Sequence, residues 1–260
     1  MLSIIIPSYK DPLLHKTIES LLENAQGEIE IIPVLDGYWP IQKIIEDKRV
    51  KQVHLGKNVG MRRAINVGVA LSKGEFIMRT DEHCSFGKGY DIILTKDCAP
   101  NWIVTPRRFY LDPNKWEIMD IPPVDFMKLK ITNVSENVRK FSGVESPGDD
   151  NQPIQESMAM QGSCWLMRKS WWNEIIGELQ NEGYGPHYQD SHEMVFKTWM
   201  SGGKLMVNKN TWHAHKHRDF PRTHNNGTPE NPSNNEKCWA YSLSLWEQYY
   251  EKEIKPKWNI

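Results

Sequence analysis

The chain of 260 residues has few cysteines, no long apolar run and almost no net charge. Its 4 cysteines are scattered without a Cys-x-x-Cys pair, which argues against a disulfide framework and a zinc finger. No stretch approaches the roughly 20 apolar residues that a membrane-spanning helix needs. A formal net charge of −1 gives no global attraction to nucleic acid or to an anionic membrane. The first residues lack the basic and apolar regions of a signal peptide, so we expect a cytoplasmic protein without a membrane span.

Strand-like and helix-like patterns alternate through the first part of the chain. Short apolar runs predict strands over 3–7, 28–35, 50–55 and 75–79. Apolar residues at helical spacing predict one helix that opens at Asp11-Pro12 and another over 61–71. This alternation is typical of an α/β fold with a mostly parallel central sheet flanked by helices. In such sheets, ligands bind beyond the carboxyl ends of the strands.

The pattern is weaker in the rest of the chain. Residues 111–158 are rich in Pro, Asp, Asn and Ser, and we expect an extended insertion or a flexible segment there. The later predicted elements are strands at 103–106 and 204–208, an ordered segment at 160–167, a helix over about 190–200, a loop over 225–236 and a C-terminal helix from Lys237.

Asp81-Glu82-His83, which directly follows the strand at 75–79, is the main candidate for chemistry. Alternate residues leaving a strand point to the same side, so Asp81 and His83 can bind one cation while Glu82 faces elsewhere. A carboxylate with an imidazole suits Mn²⁺ or a similar ion better than Ca²⁺, which prefers oxygen ligands. The alternative is an ordinary polar turn.

A row of histidines is the second candidate. His213, His215 and His217 would share one face of an extended chain, with Arg218 beside them. One of the three could be a third metal ligand. A solvated loop or a structural zinc site is the alternative, although no cysteine has finger-like spacing here.

Two further segments contain suitable polar groups. Asp190 and Glu193 lie at the start of a predicted helix, where they could cap it, contact an acceptor hydroxyl or act as a base. The basic, glycine-containing segment 57–63 could offer N–H groups and a guanidinium to a diphosphate. It lacks the Walker pattern.

Taken in order, these segments resemble the GT-A glycosyltransferases, and residues 3–9 are similar to the start of glycosyltransferase family 2. Three segments resemble the catalytic domain of polypeptide N-acetylgalactosaminyltransferases more closely. Residues 73–84 resemble the segment in which Asp-x-His-Cys follows Gly-Glu and an apolar run. Residues 193–203 resemble the helix of those enzymes that ends in Gly-Gly. Residues 211–218 resemble their last motif, Val-Gly-His-x-x-Arg, which contains a metal-binding histidine. Short enzymes of this pattern also look like those of bacteria and bacteriophages.

The resemblance implies a set of site residues. Asp81, His83 and His215 would hold Mn²⁺ or Mg²⁺, and Asp190 and Glu193 would be the catalytic carboxylates. The implied residues at the nucleotide-sugar, expected to be a UDP-sugar, are Pro7, Tyr9, Asp36, Gly60, Arg63, Asp81, Gly162, Ser163 and Trp165. A Trp-Gly-Gly-Glu segment of those enzymes reads His187-Tyr188-Gln189-Asp190 here, which leaves the donor sugar open.

The resemblance also implies a function and a division of the chain. We expect a metal-dependent glycosyltransferase that moves a hexose or N-acetylhexosamine to a hydroxyl of a glycan, a peptide or a hydroxymethylated DNA base. The N-acetylgalactosaminyltransferases imply retention of the anomeric configuration, and family 2 implies inversion. Residues 1–100 would bind the nucleotide-sugar, 101–224 would form the acceptor side, and 225–260 a C-terminal loop and helix.

Two other classes remain open at this point. A nucleotidyltransferase acting on sugar phosphates should have a Gly-rich, basic signature after the first strand, and Ser8-Tyr9-Lys10-Asp11 is not one. A non-catalytic carbohydrate- or nucleic-acid-binding protein would explain the 11 tryptophans, but not the ordered appearance of Asp81, His83 and His215.

Overall fold

The computed structural model describes residues 1–148, 151–217 and 232–260. Its strands are β1 (Leu2–Ser8), β2 (Ile29–Asp36), β3 (Val53–Leu55), β4 (Phe76–Thr80), β5 (Cys84–Phe86), β6 (Trp102–Asp112), β7 (Glu117–Ile118), β8 (Phe126–Ser135), β9 (Val138–Ser146), β10 (Ile154–Glu156), β11 (Cys164–Arg168) and β12 (Lys204–His215). Its helices are α1 (Leu14–Asn24), α2 (Met61–Leu71), α3 (Tyr90–Lys96), α4 (Lys169–Trp171), α5 (Asp190–Met200), α6 (Pro232–Tyr249) and α7 (Lys255–Lys257). Two π-helical turns cover Trp172–Ile176 and Tyr250–Ile254.

The first strands form a parallel sheet that is covered on both faces. β1 lies between β2 and β4 and pairs in parallel with both, while β3 extends the sheet beyond β2. Every residue of β1 and β2 is buried, because α1 and α2 cover opposite faces of the sheet. Ile18 of α1 packs with Ile4, and Ile65 of α2 packs with Ile5. The predicted α/β architecture is confirmed.

The second part of the sheet is mixed rather than mostly parallel. The strand order is β10-β12-β6-β11-β4-β1-β2-β3, with β5 paired to β12 and β7 paired to β6. β11 runs antiparallel to both β4 and β6, whereas β12 runs parallel to β6. Because β11 joins β4, one continuous sheet extends across the predicted boundary near residue 100.

Regular structure replaces most of the segment that we expected to be an extended insertion or flexible. β8 and β9 pair as an antiparallel hairpin, and β10 joins the edge of the main sheet. Leu129 and Phe141 are buried on the inner face of the hairpin. Phe141 packs 4.8 Å from the ring of Phe196 and 5.5 Å from that of Tyr250. The hairpin is therefore stabilised by distant parts of the chain, which the local pattern does not reveal.

The C-terminal helix also begins earlier than predicted. α6 starts at Pro232, so residues 232–236, expected in a loop, are helical. Proline is compatible with the first position of a helix, where no intrahelical N–H bond is lost. The rest of the predicted loop, and Arg218, lie outside the described residues. Among the helices that the structure describes, none is long and apolar enough to cross a membrane.

Candidate active site

The pairing of β5 with the end of β12 creates the site. Asp81 and His83 lie between β4 and β5, and His215, the last residue of β12, pairs with Cys84 in an antiparallel register. The N–H of Lys216 donates to the carbonyl oxygen of His83 at 3.1 Å. These backbone contacts bring the two predicted ligand segments together at the carboxyl edge of β4.

The structure brings the three predicted metal ligands into one cluster. Nε2 of His215 lies 3.1 Å from Nε2 of His83 and 3.2 Å from Oδ2 of Asp81. Nε2 of His83 lies 4.0 Å from the same carboxylate oxygen. Ligand atoms about 2.1 Å from an ion are roughly 3.0 Å apart at right angles and about 3.4 Å apart in a tetrahedron. The two distances from His215 lie within this range, whereas the 4.0 Å between His83 and Asp81 is wider than either geometry requires.

The charge states of the cluster also suit metal binding. Burial lowers the pKa of His215 to about 4, so its imidazole is neutral at neutral pH. Burial opposes ionisation of Asp81, but the Arg79 charge and a hydrogen bond from His215 outweigh it and hold the pKa of Asp81 well below its ordinary value. Metals bind neutral imidazoles and ionised carboxylates, so these charge states suit a divalent ion.

Two further carboxylates, Asp11 and Glu82, lie next to the cluster. Nδ1 of His83 lies 2.9 Å from Oδ2 of Asp11, with side chains 3% and 6% exposed, respectively. Glu82 points away from Asp81, as strand alternation predicts, and accepts the backbone N–H of Tyr9 at 3.0 Å. The site therefore has a second layer of carboxylates on the side of the histidine that faces away from Asp81.

The row of histidines shares one face of the chain, but its members have different surroundings. Nε2 of His213 lies 3.1 Å from Oγ of Ser163 and is buried. Nε2 of His217 lies 2.8 Å from a guanidinium nitrogen of Arg108. Of these three histidines, only His215 belongs to a described group that could hold a metal.

A cleft of about 330 Å³ opens beside the cluster. Asp81 and His215 form one wall, and Gly162 and Ser163 form another. The lining also includes residues 187–192, the inner face of the β8–β9 hairpin, residues 159–161, and Met61, Arg79, Arg108 and His217. The hairpin thus contributes Met127, Gly143 and Glu145 to the wall of the cleft.

The two predicted catalytic carboxylates occupy different environments. Asp190, the first residue of α5, lines the cleft, and its Oδ2 has no hydrogen-bond partner among the described residues. This oxygen lies 3.7 Å from the point where a side chain on Gly162 would begin. Glu193 is fully buried outside the cleft lining, where it is paired with Arg62 and, at 2.7 Å, with Lys197. Its position fits a structural ion pair rather than the expected catalytic role.

Four predicted donor contacts cluster near the ends of β1 and β2. Pro7 is buried in β1, and the ring of Tyr9 meets that of Tyr38 edge to face at 5.9 Å. The buried carboxylate of Asp36 accepts the backbone N–H of Gly60 at 2.8 Å and that of Val59 at 2.7 Å. Burial raises the pKa of Asp36 despite these hydrogen bonds. Asp36 therefore holds the backbone of the loop before α2 in place through these hydrogen bonds.

Trp165 and Arg63, two other predicted donor contacts, do not line the cleft. Trp165 is 0% exposed and stacks on Trp172 with 5.8 Å between ring centroids, which makes it a core residue. Arg63 is exposed on α2 and does not line the cleft. Its neighbour Arg62 is the buried arginine, because successive residues on a helix point about 100° apart.

Sequence reasoning missed Arg79 and Arg108. Arg79 is 2% exposed, donates to Oδ1 of Asp81 at 2.5 Å and lines the cleft. Its Nε and Nη1 have no hydrogen-bond partner within the described part of the chain. A charged residue directly after the apolar run of β4 (residues 76–78) was the available signal, because a buried arginine needs a specific partner. Arg108 lies 2.8 Å from Glu145 and links β6 to the hairpin.

Comparison with known proteins identifies the family. Residues 3–176 match the model of Glycosyl transferase family 2, so the chain belongs to that family. A comparison with curated proteins finds no match.

Solved structures show the fold. The crystal structure of GalNAc-T7 with UDP, GalNAc and Mn²⁺ has a TM-score of 0.72 at 17% identity, over 98% of this chain and 50% of that one. Staphylococcus aureus TarS 1–349 in complex with UDP-GlcNAc has a TM-score of 0.58 at 13% identity, over 90% of this chain and 63% of that one. A second S. aureus TarS structure gives 0.56 at 12% identity, over 83% and 36%. The chain has the GT-A glycosyltransferase fold and spans between 36% and 63% of these proteins.

Proposed function

We propose that this protein is a metal-dependent glycosyltransferase that transfers a hexose or N-acetylhexosamine from a UDP-sugar to an acceptor hydroxyl. The observation that carries the proposal is the convergence of Asp81, His83 and His215 beside a cleft at the carboxyl edge of the parallel strands. Ligands bind at this edge in open α/β sheets. Membership of glycosyl transferase family 2 supports the reaction class.

The ligand set favours Mn²⁺, with Mg²⁺ as the alternative ion. Two imidazoles and one carboxylate suit a transition metal better than Ca²⁺ or Mg²⁺, which prefer oxygen ligands. When bound, the ion would neutralise the diphosphate of the donor as the bond between sugar and phosphate breaks. The presence of UDP and Mn²⁺ in the GalNAc-T7 structure and of UDP-GlcNAc in a TarS structure supports this pairing.

Other residues of the site would orient the metal ligand and contact the substrates. Arg79 holds Oδ1 of Asp81, which leaves Oδ2 directed toward the two histidines. Asp190 accepts a hydrogen bond from a substrate hydroxyl, since its Oδ2 has no partner among the described residues and lies in the cleft. Gly162 and Ser163 form the wall next to the sugar, where a glycine keeps the backbone accessible.

The acceptor site lies toward the β8–β9 hairpin, which lines the cleft with Met127, Gly143 and Glu145. The acceptor is a hydroxyl of a glycan, of a peptide or of a hydroxymethylated DNA base. A cytoplasmic location is supported by the four cysteines, which are buried and form no disulfide among the described residues.

Donor hydrolysis tests the proposal. The full chain is incubated with Mn²⁺ and a panel of UDP-, GDP- and CDP-sugars, with and without chelator, and the released nucleotide is quantified. We expect UDP release from one donor, loss of release with chelator and loss in Asp81→Asn. An Asp120→Asn variant, changed at an exposed aspartate outside the cleft, is the matched control.

Two results would contradict the proposal. One is the absence of release from every donor together with no donor binding in calorimetry. The other is the joining of a nucleotide to a sugar phosphate, which would identify a nucleotidyltransferase. Once an acceptor is found, NMR of the product assigns the stereochemistry: an inverted anomer makes Asp190 the base, and a retained anomer assigns it to sugar binding.

A further inference from the structure

Asp11 contacts a ligand histidine from outside the metal cluster. Its Oδ2 lies 2.9 Å from Nδ1 of His83, and the two side chains are 6% and 3% exposed. Its other oxygen, Oδ1, accepts the backbone N–H of Leu13 at 2.8 Å, just before α1. Because both oxygens are engaged, the carboxylate has a fixed position relative to the main chain.

This contact selects one tautomer of His83. A carboxylate only accepts hydrogen bonds, so Nδ1 must carry the proton that it donates to Asp11. Nε2 of the neutral ring then has its lone pair free. Nε2 is the atom that lies 3.1 Å from Nε2 of His215 and 4.0 Å from Oδ2 of Asp81.

The second histidine of the cluster lacks such support. Nδ1 of His215 is buried and has no hydrogen-bond partner among the described residues. Its Nε2 is within hydrogen-bond distance of both Asp81 and His83, so it can act as the donor to both when no ion is bound. Of the two histidines, only His83 has its orientation and tautomer set by a group behind it.

We propose that Asp11 is a positioning residue that holds the ring of His83 with Nε2 unprotonated and directed at the metal cluster. A carboxylate behind a ligating histidine fixes the ring and raises its basicity, and its loss typically weakens metal binding about 10–100-fold. The inference rests on the proposed function in one respect, that the cluster binds a divalent ion.

A purely structural role of Asp11 is the competing explanation, because it also binds the backbone before α1. Asp47 provides a matched control for that role. Its Oδ1 accepts the backbone N–H of Arg49 at 2.8 Å, the same two-residue spacing as in the Asp11–Leu13 contact. Asp47 belongs neither to the cluster of Asp81, His83 and His215 nor to the second described group of possible metal ligands, which is Asp11, Glu82 and His83.

The first readout is the affinity for Mn²⁺ alone, measured by calorimetry on the full chain. We expect Asp11→Ala to bind Mn²⁺ about 10–100-fold more weakly than wild type. Asp11→Asn should lose less, because an amide oxygen can still accept the proton of Nδ1. Asp47→Ala should bind like wild type. Asp11→Ala affinity within about threefold of wild type, in a protein with an unchanged circular dichroism spectrum, would overturn the inference.

The second readout needs no metal. ¹⁵N NMR of histidine-labelled protein, at a pH well above the ordinary histidine pKa, reports the tautomer of each ring. The His83 signals are assigned by their loss in His83→Gln. We expect the Nδ1–H tautomer in wild type and in Asp11→Asn, whose amide oxygen can still accept the proton, and a mixture in Asp11→Ala. If the alanine variant does not fold, the wild-type spectrum still decides the inference. The Nε2–H tautomer in wild type would overturn the inference.

The two readouts separate this inference from the proposed function. Failure of the wild-type protein to bind Mn²⁺ would contradict the metal-dependent function, whereas the NMR measurement would still decide the role of Asp11. Tight Mn²⁺ binding by wild type and Asp11→Ala alike would leave the proposed function intact and remove Asp11 from the site.

Discussion

His215 and His83 are 132 residues apart in sequence, yet their Nε2 atoms lie 3.1 Å apart. Together with Asp81 they form one group of possible metal ligands, of which Asp81 and His215 line the cleft, so loss of any one of the three removes a third of the ligand set. At the scale of the residue, metal binding depends on the position of single ligand atoms, so single substitutions test it.

We expect His215→Ala to abolish Mn²⁺-dependent donor hydrolysis while the fold stays intact. Truncation leaves Asp81 paired with Arg79, so no new unpaired charge is created. Donor hydrolysis measures turnover, calorimetry measures Mn²⁺ binding, and circular dichroism checks the fold. His54→Ala, which removes a histidine outside both described metal-ligating groups, is the control. Wild-type turnover with unchanged Mn²⁺ binding would remove His215 from the site.

Asp190→Asn should separate chemistry from metal binding. If Asp190 acts as a base, kcat should fall by about 10²–10⁴-fold, the usual contribution of such a group. Mn²⁺ affinity should not change, because Asp190 is not among the clustered ligands. Initial rates and calorimetry on the same preparation test both halves, with Asp120→Asn as control. Weaker Mn²⁺ binding in Asp190→Asn would show that the cluster extends to α5.

At the scale of elements, α2 and α5 are joined by a buried ion pair next to the cleft. Arg62 and Glu193 are 0% and 1% exposed, and Arg62 also donates to the carbonyl oxygens of Gln180 and Tyr188, both at 2.8 Å. Arg62 therefore fixes the segment before α5, from which His187, Tyr188 and Gln189 reach the cleft.

Glu193→Gln should destabilise the protein by about 3–5 kcal/mol, because removing one partner leaves a buried charge without compensation. Urea unfolding measures the change. Glu174→Gln, at an exposed glutamate in the first π-helical turn, is the control. Unchanged stability together with lost turnover would instead restore the catalytic role that the sequence suggested for Glu193.

The whole molecule should lose stability in mild acid. Burial lowers the pKa of His192 and of His215 from the ordinary 6.5 to about 4, and the pKa of His213 well below 6.5. The native state then binds fewer protons than the unfolded chain as the pH falls below 6.5, so protons favour unfolding. The stabilisation is complete above pH 6.5 and is lost progressively down to about pH 4.

Urea unfolding in chelator at several pH values tests this prediction without a contribution from metal binding. His192→Gln should flatten the pH dependence, because it removes one of the buried neutral rings. A free energy of unfolding that stays constant from pH 6.5 to about pH 4 would show that the three histidines titrate normally in the folded protein.

The sequence alone predicted much of the first part of the fold. The short apolar run of β1 and the helical spacing of α2 are local signals, and both elements lie where the pattern indicated. The hairpin was missed because Leu129 and Phe141 are buried by Phe196 and Tyr250, which lie far along the chain. A local pattern does not contain such partners.

The same distinction applies to the site. The spacing along the chain predicted that Asp81 and His83 leave their strand on the same side. The order of the three motifs predicted the family and indicated His215 as the third metal ligand. Only the tertiary structure decided that Glu193 pairs with Arg62, that Trp165 belongs to the core and that Asp11 supports His83. Local spacing sets the direction in which a side chain leaves its own element, whereas the groups it then meets depend on how distant elements pack.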